Sequence, residues 1–191
     1  MLSYLSLAIS CVLVSNIVLT QFLGICPFLG VSKNKKSALG MGVAVMGVTV
    51  LSSIITYGIY KLLLTPLTIE YMQTVVYILV IASLVQFTEM VIKRFFPSLY
   101  ESFGVYLPLI TTNCIVLGVC INVINYDYSF LEMLTYSFSI SLGYMLVLFV
   151  FSAIRTQLNR VNVPKAFKGV PIALVVAACM ALAFSAFNGI I

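Results

Sequence analysis

The sequence predicts an all-α integral membrane protein, with six transmembrane helices arranged as two inverted three-helix repeats and broken helices in spans one and four. Three observations carry that expectation. The composition suits a chain solvated by lipid, the basic residues fall in alternate connections, and one short motif occurs once in each half.

Composition sets the class. Of 191 residues, 62% are hydrophobic and only 8% charged, and the mean hydropathy is +1.18. A soluble domain is about half apolar and about a quarter charged. A water-soluble fold of this size would have to leave most of its surface apolar, whereas lipid is a solvent in which that surface costs nothing. Apolar segments recur to the C-terminus, so a cleaved signal peptide does not account for them. The expectation is one transmembrane domain, residues 1–191, in repeat halves of about 1–98 and 99–191, without an extramembrane catalytic domain. Histidine is absent, which excludes His-ligated haem, His-based zinc and His proton relays. Tryptophan is absent too, so tyrosines near span ends (Tyr4, Tyr71, Tyr100, Tyr126, Tyr128) supply the interfacial belt.

The apolar spans run roughly 4–31, 38–60, 72–92, 102–124, 130–153 and 170–190. Each is long enough to cross a core of about 30 Å as a helix. The net charge of +5 does not indicate nucleic acid. Lys33, Lys35, Lys36, Lys93, Arg94, Arg155, Arg160, Lys165 and Lys168 all lie in three alternate connections, and Lys61 alone lies in the others. This is the positive-inside pattern: a multi-pass protein with connections near 32–37, 93–101 and 154–169 in the cytoplasm and both termini outside. In the second span, Ala38-x-x-x-Gly42 and Gly40-x-x-x-Ala44 offer small residues for close helix approach.

Spans one and four are irregular. The uncharged stretch from Met1 to Ser32 would be about 48 Å long as a single helix, too long for a simple crossing. It holds Asn16, Thr20, Gln21, Gly24, Pro27 and Gly30, and the residue before proline is pushed from helical geometry, so Cys26 is expected in non-helical backbone. The fourth span carries Pro108, Thr111, Thr112, Asn113 and Cys114 in its middle. Irregular backbone at membrane depth is tolerated only where protein buries it or it lines a cavity.

The two irregular spans share a motif. Cys26-Pro27-Phe28-Leu29-Gly30-Val31 and Cys114-Ile115-Val116-Leu117-Gly118-Val119 are both Cys-x-x-Leu-Gly-Val, 88 positions apart. Each opens a three-span half, and an odd number of spans makes the halves enter the membrane from opposite sides. Paired broken helices then bring Cys26 and Cys114 together near the midplane. Two thiols there can pack, form a disulfide, or supply half of a metal site completed by a partner chain. Cys11, Cys120 and Cys179 sit in ordinary helix and read as packing residues. Glu89, within Val85-Gln86-Phe87-Thr88-Glu89-Met90, marks an ion path or pairs with Lys93 one turn on. Glu132, with Glu70 and Asp127, reads as the solvated end of an outer loop. Asn16, Gln21 and Asn113 flank the cysteines, as do Thr112, Gly24 and Gly118; they either support the thiols or bond between helices.

The segments Leu23-Gly24-Ile25-Cys26-Pro27-Phe28-Leu29-Gly30-Val31-Ser32-Lys33, Val85 to Met90 and Leu107-Pro108-Leu109-Ile110-Thr111-Thr112-Asn113-Cys114 carry a resemblance that extends over the whole chain. The sequence resembles the A-subunit family of Rnf complexes, the ferredoxin:NAD oxidoreductases of bacterial and archaeal cytoplasmic membranes; the D and E subunits of the sodium-pumping NADH:quinone reductase belong to the same superfamily. The resemblance implies a pair of inverted repeats and a homologous E-type partner in the opposite orientation. It also implies one intramembrane [2Fe–2S] cluster shared between the two, with Cys26 and Cys114 as this chain's ligands. Further implied partners are flavin-bearing and iron–sulfur subunits, with electron transfer coupled to Na+ or H+ export. The chain is then part of an enzyme without being catalytic alone. Two other functions compete: a six-helix vitamin-type transporter component, which needs a substrate cavity and no repeated cysteine, and a scaffold that only holds other subunits.

Overall fold

A computed structural model describes residues 2–14, 16–32, 35–64, 72–95, 113–158, 164 and 167–186. Those residues are helical, without a strand among them. The first span is a series of pieces: α1 (Leu2–Ile9), a π-helical turn (Ser10–Val14), α2 (Ile17–Thr20) and α3 (Ile25–Val31). There follow α4 (Lys35–Ile59), which runs into a second π-helical turn (Tyr60–Leu64), then α5 (Gln73–Phe95), α6 (Cys114–Asn125), α7 (Phe130–Leu158) and α8 (Val170–Ser185). Among the described residues, Ser37–Leu62 and Phe130–Leu158 are long and apolar enough to cross a membrane, and shorter apolar helices cover Thr74–Phe87, Cys114–Asn125 and Val170–Ser185.

Local chemistry sets several boundaries. At the end of α6 the backbone turns left-handed at Asp127 (φ 49°), a conformation that Asp tolerates better than most residues. The Tyr128 N–H then bonds the Val123 carbonyl (3.2 Å) and the Asp127 N–H the Ile124 carbonyl (2.9 Å), a Schellman closure. Glu132 is not merely solvated: its carboxylate accepts the Ser129 N–H at 2.9 Å, as in a capping box, and opens α7. α8 begins after Gly169 (φ 97°) with Pro171 in its first turn, where the missing N–H costs nothing.

The centre of the fold is the antiparallel pair α4 and α7, its most extensive helix contact. Small residues let the backbones approach: a Cβ on Gly42 would stand 2.5 Å from Met145 Cγ, and Ala38 on the same face is buried. Ser137 donates to Ser53 across the seam at 2.9 Å. Thr49, Ser53, Thr56 and Ser141 satisfy their buried hydroxyls by donating to carbonyls one turn back. The ends are pinned as well. Tyr57, near the end of α4, packs on Phe130 at the start of α7 (6.2 Å between centroids). Arg155, near the end of α7, bonds the residues just before α4. The end of α3, the start of α4 and the end of α7 therefore share one end of the α4–α7 pair.

Candidate functional site

Two helices start at depth on an asparagine. Asn16 (φ −65°, ψ 110°) caps α2 and Asn113 (φ −72°, ψ 111°) caps α6. Each presents its side-chain oxygen to the N–H two residues on, Val18 at 3.2 Å and Ile115 at 3.3 Å. Both asparagines are buried. A helix that starts away from water leaves unsatisfied N–H groups, and a short polar side chain in extended backbone is the cheapest way to meet one. The caps differ in their second polar atom. Asn16 Nδ2 donates to the Val12 carbonyl at 3.2 Å, whereas Asn113 Nδ2 has no acceptor among the described residues.

After one turn α2 stops. Gln21 closes it, Phe22 (φ 54°) and Gly24 (φ 82°) take left-handed backbone, and α3 begins at Ile25. The break thus lies over Gln21–Gly24, before the cysteine. Cys26 is helical, which corrects the expectation of non-helical backbone there. Pro27 occupies the third position of α3, where its missing N–H would have had no helical partner, so the chain can start a helix through it.

The loop before α3 is seated on the start of α6. The Gly24 N–H donates to Cys114 Sγ at 2.8 Å. Only glycine fits: a Cβ there would run into the Ile115 side chain and stand 3.3 Å from Asn113 Oδ1, in a conformation that L residues avoid. Gly118, one turn further along α6, leaves room for Leu23. Cys114 is the first residue of α6 and Cys26 the second of α3. With consecutive Cα atoms about 3.8 Å apart, the Cys26 Cα stands within about 7.6 Å of that of Gly24. All five cysteines are free thiols, and Cys26 and Cys114 are both exposed while Cys11 and Cys120 are buried. Among the described residues, no three His, Cys, Asp or Glu side chains converge into a complete metal site.

The structure therefore brings Gly24, Asn113, Cys114 and Gly118 together, with Cys26 two residues from the contact. Thr112 lies outside the described residues. Glu89 falls within α5, and its side chain is likewise outside them. Sequence reasoning missed Tyr144. Its fully buried hydroxyl lies near the Asn113 side chain and has no hydrogen-bond partner among the described residues. The preceding Gly143 faces the other cap: a Cβ there would stand 3.1 Å from Asn16 Nδ2. A glycine–tyrosine pair in the middle of an apolar span was the signal available.

The residues suit a shared sulfur-ligated group. Two soft donors are exposed on segments joined by the Gly24 N–H to Cys114 Sγ bond, and the buried Asn113 Nδ2, next to Cys114 in sequence, has no acceptor among the described residues. A tetrathiolate group needs two more ligands from another chain. A separate cleft of about 520 Å³ opens between α2 and α8, lined by Asn16, Thr20, Phe22 and Ser185 among apolar neighbours.

Comparison with known proteins identifies the family. A family model described as "Rnf-Nqr subunit, membrane protein" matches residues 4–191. The A subunit of the Na(+)-translocating ferredoxin:NAD(+) oxidoreductase complex of Acetobacterium woodii is 52% identical over 181 residues, 95% of this chain and 94% of the relative. The A subunits of the ion-translocating oxidoreductase complexes of Histophilus somni and Aliivibrio salmonicida are 48% and 49% identical over 191 residues, each match covering 100% of this chain and 99% of the relative.

Proposed function

This chain belongs to the Rnf-Nqr family of bacterial membrane subunits, and from that premise we propose that it is the A-type subunit of an ion-translocating oxidoreductase complex, where Cys26 and Cys114 hold half of an intramembrane [2Fe–2S] cluster. A homologous subunit in the opposite orientation supplies the other two thiolates. The fold is then two inverted three-span repeats, with both termini outside. The antiparallel pairing of α4 with α7, seen in the Ser53–Ser137 and Tyr57–Phe130 contacts, supports that reading. The observation that carries it is the Gly24 N–H to Cys114 Sγ contact, which joins the two cysteine segments while leaving both thiols exposed for a partner.

Each residue then has a definite task. Cys26 and Cys114, as thiolates, are the ligands. The Gly24 N–H donates to the Cys114 sulfur and fixes where it stands. Gly24 and Gly118 allow the loop and α6 to approach closely enough for that bond. Asn113 starts α6 so that Cys114 occupies its first turn, and its amide and the Tyr144 hydroxyl stand ready as further donors. When bound, the cluster supplies a one-electron relay that divides a crossing of about 30 Å into two shorter transfers. The exported ion is Na+ or H+; the name of the Acetobacterium relative specifies Na+ for that protein. Glu89 is the acidic residue we assign to the ion path. Flavin-bearing and iron–sulfur subunits of the complex carry electrons to and from the two sides.

Low-temperature EPR of the dithionite-reduced complex tests this. A [2Fe–2S] signal present with the wild-type chain and lost with Cys114→Ser, the complex remaining assembled, supports the assignment. An unchanged signal moves the redox role to other subunits.

A further inference from the structure

α3 has seven residues, Ile25–Val31, too few for a helix to hold itself together. Its entry is the left-handed loop at Phe22 and Gly24. What fixes it is one face of α7, on residues one turn apart. Phe151 stacks on Phe28, with centroids 4.0 Å apart and planes at 28°. Arg155 Nη1 donates to the Leu29 carbonyl at 2.6 Å and to Ser32 Oγ at 2.7 Å. Leu29 is among the last four residues of α3, whose carbonyls lack helical partners, and Ser32 is fully buried. A guanidinium at a helix C-terminus meets both the orphan carbonyl and the negative end of the helix dipole. Arg155 also lies in the basic set that positive-inside topology explains, yet that rule asks only for charge outside the membrane, not for a partly buried head bonded to a specific short helix.

We infer that Arg155 is a positioning residue for Cys26: it anchors α3 at the end opposite the thiol and so fixes where that thiol stands relative to Cys114. The inference rests on the two cysteines being ligands and deepens that reading by naming the side chain that holds one of them. Cys114 has no such dependence, because α6 is started by its own buried cap. The effect of losing Arg155 is accordingly one-sided.

The test uses the intact complex in membranes with Arg155→Lys, Arg155→Gln and Arg155→Ala, and reads three quantities: the [2Fe–2S] EPR signal per assembled complex, its midpoint potential, and maleimide labelling of Cys26 and Cys114 separately. Arg155→Gln is expected to lower cluster occupancy roughly tenfold, in the range for groups that orient metal ligands. It should also raise labelling at Cys26 well above that at Cys114, and Arg155→Lys should restore part of both. If Arg155→Ala does not assemble, the Gln and Lys variants carry the same readouts. A wild-type spectrum, potential and labelling ratio in Arg155→Gln overturn the inference. So does an equal rise in labelling at both cysteines, which is general loosening. A cluster signal that survives Cys26→Ser with Arg155 intact fails the ligand reading itself and the inference with it.

Discussion

The starts of α3 and α6 carry the same chemistry on different supports. Both place a cysteine in the first helical turn. α6 has twelve residues, a buried asparagine cap and a first turn packed in the core, with Ile115 and Val116 fully buried. α3 has seven residues, begins at a glycine without a side-chain cap, and depends on Phe151 and Arg155 of another helix. One cysteine is thus positioned by its own helix and the other by tertiary contacts. Identical motifs in the sequence do not imply identical stiffness in the fold.

The comparison can be broken or sharpened by substitution. The largest effect is expected at the thiols: Cys26→Ser and Cys114→Ser should each abolish the EPR signal of the assembled complex, because one missing ligand leaves an Fe–S centre incomplete. Next is Gly24→Ala. It combines a strained left-handed residue, about 1–2 kcal/mol, with a collision against Ile115. It should separate the two cysteine segments, lower the melting temperature of the detergent-solubilised complex and reduce cluster content. Third come the caps. Asn113→Ala and Asn16→Ala should each cost about 1 kcal/mol of cap energy, with Asn16→Ala the worse in thermal melts because it also loses the Val12 bond. The smallest is Tyr144→Phe. Its hydroxyl has no partner among the described residues, so stability should hold, while a measurable change in cluster midpoint potential would show that the hydroxyl donates towards the sulfur side. An unchanged potential would remove Tyr144 from the site.

Much of this was legible in the sequence. Composition and recurring apolar stretches called for membrane helices, and the Cys-x-x-Leu-Gly-Val pair singled out Cys26 and Cys114. The rest needed three dimensions. The rule about residues before proline placed the first break at Cys26, but it weakens within the first turn of a helix, where α3 starts. Arg155 read as a topological charge because its partners lie more than 120 positions away. Gly24 was noted as a neighbour of Cys26, yet its bond is to Cys114, 90 positions on. Tyr144 offered only the Gly143-Tyr144 pair, too common a pairing to single it out.

The two asparagine caps bear on how the chain is made. Each cap closes on an N–H only two residues away. Either helix start can therefore leave the ribosome with that N–H already satisfied, needing neither water nor another helix. The Gly24–Cys114 bond cannot form until α6 has been made. Assembly is ordered accordingly: each cap closes within its own segment as that segment is synthesised, and the two cysteine segments meet only later.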